Sequence, residues 1–413
     1  MEFVENLLLS SIQKNFEIKT MQQQNICQHF GICGGCQLQD IDYNLQLSQK
    51  QKFIEEKFKD FEIVELCQII PSPQIWYYRN KMEFVVGKEK NGDIVCGLRQ
   101  KGKFYKIIDL TECKISFEET KEILNSVKIW VKENSVEPYD LISHKGKLRY
   151  VVVKKSKNTS KIMLNFVITG TKYQIEHNEQ KLYSSLVEQC KKISKVSSVY
   201  LSINNKLSDN AVAEEILYLY GEKYIVEEIN SVLYKIYPQT FLQTNTKCCS
   251  LLYKTVLDEI EEGNILDIYC GSGGIALQVA KHKPSVEKII GVDSSQENIN
   301  TATENYELNN CSKNIEFVCS QAEEFIQKLW KSKFLTNLST IIVDPPRPGL
   351  SKKVKSILLD FAVDKIIYIS CNPNTLYEDL KIMNKFYKIK KLIPIDMFPH
   401  TPHIEVVCVL EHR

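Results

Sequence analysis

From about residue 245 to the end of the chain, short apolar runs alternate with amphipathic stretches of helical length. The apolar runs include "NILDI", "KIIGVD", "TIIVD" and "KIIYIS". Runs of this length, separated by helical patterns, are typical of buried parallel strands in βα units. The pattern predicts an α/β fold with a doubly wound, Rossmann-like sheet in this part of the chain.

Residues 67–240 follow a different pattern, in which strands and hairpins dominate and helical stretches at 117–133 and 176–194 interrupt them. Asn91-Gly92 lies between two strand-like runs, and this dipeptide is a strong hairpin signal. A second hairpin is predicted with its turn near Asn158. We therefore expect an α+β arrangement here.

Upstream, residues 41–60 space Leu45, Phe53 and Phe58 at helical intervals, which predicts a helix after a cysteine-rich stretch. The chain is accordingly divided into three predicted parts. These are an N-terminal cysteine and helix segment at 1–66, a central β-rich domain at 67–240 and a C-terminal α/β domain at 241–413.

Composition sets the broad class of the protein. Of the 413 residues, 43% are hydrophobic and 25% are charged, which is typical of a globular protein. No apolar run approaches the ~20 residues of a transmembrane helix, and the start of the chain lacks the features of a signal peptide. These observations predict a cytoplasmic protein without membrane contacts, and we expect a monomer.

The net charge is only +2, so nucleic-acid binding would have to come from local patches. Residues 144–162 contain seven Lys or Arg and no acidic residue, and residues 98–106 form a smaller basic stretch. Each stretch is either a phosphate-binding surface or a solvated hairpin.

A glycine turn follows the first strand of the C-terminal part, in "DIYCGSGG" at 267–274. Gly271 and Gly273 allow a tight turn and the close approach of a nucleotide-like ligand. Asp293 ends the next strand, where a carboxylate can accept hydrogen bonds from ribose hydroxyls. Both NAD and S-adenosylmethionine (SAM) fit this arrangement, and the spacing looks more like the first motif of SAM methyltransferases.

Three further residues follow or begin predicted strands. Asp344 precedes two prolines, which form either a stiff loop or one side of a ligand site. Cys371 follows "KIIYIS" and is either a buried thiol or a reactive one. Glu405 lies in an apolar strand pattern, as an edge residue or as a base, whereas His400 and His403 are more typical of loop polar groups than of metal ligands.

Cys27, Cys33 and Cys36 form a tight cluster in which Gly34 and Gly35 let the chain fold back on itself. Clustered cysteines in a reducing compartment indicate metal binding. Four thiolates suit either a [4Fe–4S] cluster or a structural zinc ion. The candidates for the fourth ligand are Cys113, Cys67 and Cys96.

In order along the chain, these motifs resemble the RNA uracil-5-methyltransferases of the TrmA/RumA type. The resemblance covers about residues 25–413. The matching segments are Cys33-Gly-Gly-Cys36, "YRNKMEF" at 78–84, "FLQTN" at 241–245, "DIYCGSGG", "IIVDPPRPGL", "YISCNPNTL" and "FPHTPHIE".

The resemblance implies a SAM-dependent enzyme that makes 5-methyluridine in RNA. It implies that Cys371 is the nucleophile, that Glu405 is the base and that Asp344 contacts both SAM and the target. The cysteines that match the [4Fe–4S] ligands are Cys27, Cys33, Cys36 and Cys113. The predicted SAM contacts are Gln243, Tyr269, Gly271, Gly273, Gly274, Asp293, Gln321 and Asp344.

The chemistry explains why such residues are needed. Uracil C5 is a weak nucleophile, but addition of a thiolate to C6 gives C5 carbanion character, so that it accepts a methyl group. A base must then remove the C5 proton before the thiolate can leave. The target base must be single-stranded or flipped out to be reached.

The sequence departs from the family pattern at two points. Many members begin with an oligonucleotide-binding-like barrel, the TRAM domain, and the 26 residues before Cys27 are too few for one, so we expect RNA to be held by the central hairpins and the cysteine loop. Gly274 stands where some members carry Asn, so at most its backbone is expected to contact SAM.

The cysteines bear on the choice of RNA. They favour large-subunit (23S-type) ribosomal RNA as the target, with a T-loop uridine of tRNA as the alternative.

Two other classes of function account for only part of these motifs. A methyltransferase acting at adenine N6 would use Asp344 and SAM but has no role for Cys371 or Glu405, and RNA 5-methylcytosine enzymes place their cysteine in a Pro-Cys setting. A non-catalytic Fe–S protein that binds RNA would need neither the glycine turn nor the three site residues together.

Overall fold

The computed structural model describes residues 26–311, 314–329 and 337–413. The predicted absence of a signal peptide and of a TRAM domain concerns residues that lie outside these ranges. The helices are Tyr43–Phe58 (α1), Thr120–Glu133 (α2), Lys172–His177 (α3), Gln180–Lys191 (α4), Thr246–Asp258 (α5), Gly274–His282 (α6), Gln296–Leu308 (α7), Ala322–Leu329 (α8), Lys352–Phe361 (α9) and Pro373–Met383 (α10).

The strands form two large sheets and one small hairpin. They are Ile63–Leu66 (β1), Lys81–Lys88 (β2), Ile94–Gln100 (β3), Lys103–Asp109 (β4), Leu148–Lys155 (β5), Ile162–Ile168 (β6), Val196–Ile203 (β7), Glu215–Gly221 (β8), Ile225–Ile229 (β9), Val232–Ile236 (β10), Gly263–Ile268 (β11), Val286–Asp293 (β12), Asn314–Cys319 (β13), Leu338–Val343 (β14), Lys365–Ser370 (β15), Tyr387–Ile395 (β16) and Glu405–His412 (β17).

The C-terminal sheet has the order β1-β16-β17-β15-β14-β11-β12-β13. Strands β11 to β15 run parallel to one another, and β17 is antiparallel to both of its neighbours. The side chains of this sheet alternate between two apolar cores, with α5 and α6 packed on one face of the sheet and α8, α9 and α10 on the other. Burial on both faces explains the continuous apolar runs, and the predicted α/β, doubly wound fold is confirmed.

The N-terminal helix joins this C-terminal sheet. Strand β1 pairs in parallel with β16, and α1 packs on the second core through Ile54 and Phe58. The helix was predicted correctly, but its buried face was not, because Leu45 and Phe53 are 51% and 42% exposed. Its other buried positions are Gln46, Lys50 and Gln51. The divisions at residues 66 and 240 stay predictions.

The central sheet has the order β4-β3-β2-β5-β6-β7-β8 and is antiparallel except between β6 and β7. Helices α2 and α4 cover one face of it. Both predicted hairpins are present: Gly92 has a φ of +92° between β2 and β3, and residues 156–161 connect β5 to β6. The predicted α+β arrangement of this part is therefore observed.

The basic stretch at 144–162 is neither the predicted phosphate surface nor a solvated hairpin. Arg149 and Lys154 are only 2% and 4% exposed, and Lys154 Nζ donates to the carbonyls of Tyr237 and Thr240 at 2.8 and 2.7 Å. Most of the cations in the stretch stabilise the fold instead. The other pairs are Lys147 with Glu179, Lys155 with Glu119, Lys157 with the Tyr77 carbonyl and Lys161 with Glu222.

In the described parts of the chain, none of the helices has both the length and the apolar character needed to cross a bilayer.

Candidate active site

The topology of the C-terminal sheet brings the predicted site residues to one edge. The carboxyl ends of β11, β12, β14 and β15 meet there because these strands are parallel neighbours. Strand β17 is antiparallel to β15, with Ser370 opposite Val406. Its first residue, Glu405, therefore lies beside Cys371, which follows β15 directly.

The glycine turn, residues 267–274, connects β11 to α6 in a conformation that few residue types adopt. Tyr269, Gly271 and Gly273 have φ values of +66°, +55° and +83°. Gly271 N–H donates to Asp293 Oδ2 at 3.0 Å, which ties the turn to the end of β12. The buried Asp267 accepts from Ala276 N–H at 3.2 Å and anchors the start of α6. Together these contacts shape a turn whose backbone a nucleotide can approach.

The absence of a side chain at Gly274 has a steric reason. A Cβ at this position would lie 2.5 Å from the hydroxyl oxygen of Tyr253, and the Gly274 carbonyl accepts from the hydroxyl of Tyr234 at 2.8 Å. Tyr253 thus occupies the space that an Asn side chain would need, and Tyr234 fixes the Gly274 carbonyl. Only the backbone of Gly274 is left to contact a ligand.

Asp293, Gln321 and Gln243 surround the glycine turn. Gln321 is exposed and follows Ser320, whose N–H donates to the Asp293 carbonyl at 3.0 Å. On the other side, the buried Gln243 donates a hydrogen bond to the carboxyl of Asp344. Burial nevertheless raises the pKa of Asp344 to about 7. The structure thus brings together all of the predicted SAM contacts.

Cys371 lies between the end of β15 and the N-terminus of α10. The side chain of Asn372 caps that helix by accepting from Asn374 N–H at 3.1 Å, and Pro373 occupies the first turn. Burial and the neighbouring Glu405 and Asp344 raise the pKa of the Cys371 thiol to about 11. Without ligands, therefore, this site holds Cys371 as a thiol.

Glu405 is 2% exposed, and its Oε2 has no hydrogen-bond partner among the described residues. Burial, together with repulsion from Asp344, raises the pKa of Glu405 to about 8. A carboxyl in such a position can accept a proton near neutral pH.

Arg347 is a site residue that the sequence analysis missed. It is exposed, follows the two prolines after Asp344, and its charge lowers the pKa values of both Cys371 and Glu405. Its position in "DPPRP" was the available signal, because a cation beside a rigid turn at this edge can act on the charges of Cys371 and Glu405.

The histidine loop, residues 396–403, precedes Glu405 and is held by α1. Lys50 Nζ pairs with Asp396 Oδ1 at 2.6 Å, and both side chains are almost fully buried. Gln46 Nε2 lies 3.1 Å from His400 Nδ1. The His400 ring stacks on the Trp76 ring, with the ring centroids 3.8 Å apart. These contacts place His400 as a polar group of the loop and explain the polar buried face of α1.

The cysteine loop, residues 27–36, folds against β3. Gly34 N–H donates to the Arg99 carbonyl at 3.0 Å, and a Cβ on Gly34 would lie 3.1 Å from that oxygen. One cavity is lined by the four predicted ligands, whereas Cys96 is buried in the central core and Cys67 contacts Glu65. The four ligands are Cys27, Cys33, Cys36 and Cys113.

Among the described residues, no three His, Cys, Asp or Glu side chains are arranged to hold a metal ion. A [4Fe–4S] cluster binds each cysteine through a different iron atom, so its thiolates need not converge on one point. Four cysteines around one cavity are compatible with this geometry, and the [4Fe–4S] cluster stays a prediction.

Comparison with known proteins adds the family. A sequence model of the family described as tRNA (Uracil-5-)-methyltransferase matches residues 42–413. The chain belongs to this family. It is therefore a SAM-dependent RNA uracil methyltransferase, and the suspected TrmA/RumA-type resemblance is confirmed.

Individual relatives agree with this assignment. An "Uncharacterized RNA methyltransferase" of Clostridium tetani is 36% identical over 94% of this chain and 84% of its own length. The tRNA (uracil(54)-C(5))-methyltransferase of Pyrococcus furiosus is 35% identical over 92% of this chain and 84% of its own length.

The same architecture occurs in a solved structure. The Pyrococcus abyssi tRNA (uracil-54, C5)-methyltransferase, in complex with S-adenosyl-L-homocysteine, matches with a TM-score of 0.73 and 30% identity. The match covers 92% of this chain and 86% of that chain. The comparisons favour the tRNA alternative and do not support the predicted preference for ribosomal RNA.

The raised pKa of Glu405 predicts a pH-dependent cost to the fold. Below pH 4.5 the carboxyl is mostly protonated in folded and unfolded chains alike, so its titration does not change the free energy of unfolding. Between that value and about 8 the unfolded chain releases a proton that the folded chain keeps, so stability falls as pH rises.

Glu405→Gln should therefore become more stable than the wild type as pH rises. In urea unfolding at fixed pH, the difference should grow by up to about 1.4 kcal/mol per pH unit between pH 5 and pH 8. A difference that stays constant over this range would contradict the assignment of Glu405 as a buried carboxyl with a raised pKa.

Proposed function

We propose that this enzyme transfers a methyl group from SAM to C5 of a uridine in tRNA, through a covalent adduct between Cys371 and uracil C6. The observation that carries the proposal is the placement of Cys371 beside Glu405, at the sheet edge where the glycine turn and Asp344 also lie. The target position is proposed to be uridine 54, which the names of both Pyrococcus enzymes specify.

SAM, when bound, supplies an electrophilic methyl group on a positively charged sulfonium. The glycine turn presents its backbone to the ligand, and Asp293 is placed to accept hydrogen bonds from the ribose hydroxyls. Gln243 donates a hydrogen bond to Asp344, so the two side chains hold each other in place at this edge of the sheet. Positioning of this kind lowers the entropic cost of the reaction.

The nucleophilic step requires Cys371 as a thiolate. Its pKa is raised by two carboxyls and lowered by Arg347, so the charges around it control the step. Protonation of either carboxyl removes a repulsive charge and eases ionisation of the thiol. The N-terminus of α10, which begins two residues later, also favours a negative charge at this position.

Glu405 is proposed to act after the methyl group has been transferred. Its carboxylate removes the proton from C5, and the electron pair of that C–H bond restores the C5–C6 double bond and expels the Cys371 thiolate. The partner-free, buried oxygen of Glu405 suits this role because no competing hydrogen bond weakens its basicity.

For the cysteine site, we propose a [4Fe–4S] cluster bound by Cys27, Cys33, Cys36 and Cys113. Methyl transfer consumes no electrons, so the cluster is proposed as a brace. The two residues that follow the cysteine loop, Gln37 and Leu38, donate their N–H groups to the His400 carbonyl at 2.9 and 3.1 Å. The site therefore supports the histidine loop that precedes Glu405.

If Glu405 only removes the C5 proton, Glu405→Gln should still form the adduct and transfer the methyl group, and then stall. An SDS-resistant protein–RNA complex should carry label from methyl-labelled SAM. Cys371→Ala should give neither adduct nor product, and the double variant should behave like Cys371→Ala. Glu411→Gln, on the same strand but in a surface pair with Lys390, is the control and should turn over normally. Full activity of Cys371→Ala would exclude the covalent mechanism.

The choice of RNA can be tested with purified enzyme and labelled SAM. An unmodified tRNA transcript should accept about one methyl group at a productive, flipped-out uridine, and the same transcript with cytidine at position 54 should accept none. A 23S-type ribosomal RNA transcript should stay unlabelled. Labelling of the ribosomal transcript alone would overturn the tRNA proposal.

Chain purified without oxygen should be brown and contain about four iron atoms. Cys33→Ser and Cys36→Ser should lower the iron content, whereas Cys319→Ser, at an exposed cysteine remote from the cavity, should not. Colourless wild-type protein with one zinc ion per chain would refute the cluster.

A further inference from the structure

The turn and edge strand at residues 101–106, here called the basic hairpin, are the feature that the proposed function leaves unexplained. Every residue from Lys101 to Lys106 is exposed. Phe104 and Tyr105 are 68% and 55% exposed. Their rings lie edge to face, with the ring centroids 5.7 Å apart. Two adjacent aromatic rings in water cost free energy unless something covers them.

The lysines of the basic hairpin differ from those of the stretch at 144–162. Within the parts of the chain that the structure describes, Lys101, Lys103 and Lys106 form no ion pair with a carboxylate, whereas Lys155 and Lys161 do. In the smaller basic stretch Arg99 pairs with Asp209, but the three lysines of the basic hairpin stay available, whereas most cations of the larger stretch are paired or buried.

The hairpin is also connected to the active site through the backbone. Lys101 N–H donates to the Ile32 carbonyl at 2.9 Å, in the middle of the cysteine loop. The residues just after that loop bind the His400 carbonyl. Ile32 is itself 52% exposed and extends the apolar part of the surface. The basic hairpin, the cysteine loop and the histidine loop thus form one connected support.

Three free cations beside two exposed aromatic rings match the chemistry of single-stranded RNA. Lysines attract phosphates, and aromatic faces stack on unpaired bases regardless of sequence. The outermost strand β4 adds backbone groups that no neighbouring strand uses on its free side.

We propose that the basic hairpin binds an unpaired RNA segment that flanks the target uridine, with bases stacked on Phe104 and Tyr105 and phosphates on the three lysines. This proposal rests on the RNA methyltransferase activity, but not on tRNA as the target. Of the two basic stretches in the central hairpins, it assigns the RNA contact to the one at residues 98–106 and not to the one at residues 144–162.

The test measures RNA binding, without methyl transfer, by fluorescence anisotropy over a range of salt concentrations. The probes are an unmodified tRNA transcript and a single-stranded oligouridine. The charge variant is Lys101→Glu with Lys103→Glu and Lys106→Glu. It should bind both probes at least about tenfold more weakly, and the slope of log K against log salt should fall by about two, as expected for three lost phosphate contacts to a single strand.

The aromatic variant is Phe104→Ala with Tyr105→Ala. It should weaken binding by about tenfold for each base that loses its stacking partner, with an unchanged salt slope. Because Phe104 and Tyr105 are exposed, neither variant should alter the folded structure, and SAM affinity by calorimetry should equal that of the wild type.

Matched control variants show whether a loss of RNA binding is specific to the basic hairpin or follows from any similar change in charge or apolar surface. Lys132→Glu with Lys181→Glu and Lys192→Glu makes the same charge change at exposed lysines on or at the end of α2 and α4. Ile142→Ala with Tyr173→Ala removes side chains that are 73% and 67% exposed. Both controls should bind like the wild type.

Equal losses in the charge variant and its lysine control, or wild-type binding by both hairpin variants, would overturn the proposal. The second result would indicate that another kind of partner covers the aromatic pair. If tRNA is not the substrate, the transcript takes no methyl group, but the oligouridine result still decides the role of the basic hairpin.

Discussion

The buried ion pair between Lys50 and Asp396 is the contact on which the geometry of the active site depends most. It joins α1 to the first residue of the histidine loop, at 2.6 Å and almost without solvent. Removing one partner of such a pair leaves an uncompensated buried charge, which typically costs about 3–5 kcal/mol. The chain retains this arrangement where a loop must be held in one position, nine residues before the proposed catalytic base.

Several contacts add to this one. Asn245, which caps α5, donates to the Met397 carbonyl at 3.0 Å, and the Tyr78 hydroxyl donates to the Pro399 carbonyl at 3.2 Å. The histidine loop is therefore held by segments from all three predicted parts of the chain. This shared dependence explains why the "YRN", "FLQTN" and "FPHT" motifs, far apart in sequence, belong together.

In the ligand-free site, the charges around Cys371 disfavour its thiolate form. Two carboxyls with raised pKa values face a thiol with a raised pKa, and Arg347 is the cation that opposes them. Such a site stores unfavourable electrostatic energy, which a cationic ligand can relieve. The proposed nucleophile, Cys371, is thus held as a thiol in the ligand-free site.

The sequence by itself determined the α/β class and the two hairpins, because the spacing of apolar residues and the turn signals are local properties. It also indicated Cys371, Glu405, Asp344 and the glycine turn as candidate site residues, which the structure places at one edge of the sheet. It could not determine which face of α1 is buried, since His400 and Asp396, which contact Gln46 and Lys50, lie 354 and 346 residues away in the sequence. It also could not show that Arg149 and Lys154 are buried cations, nor that the charge of Arg347 acts on Cys371. Only the tertiary structure decided these points. Whether a charged side chain can bind a ligand or instead stabilises the fold depends on which residues pack against it.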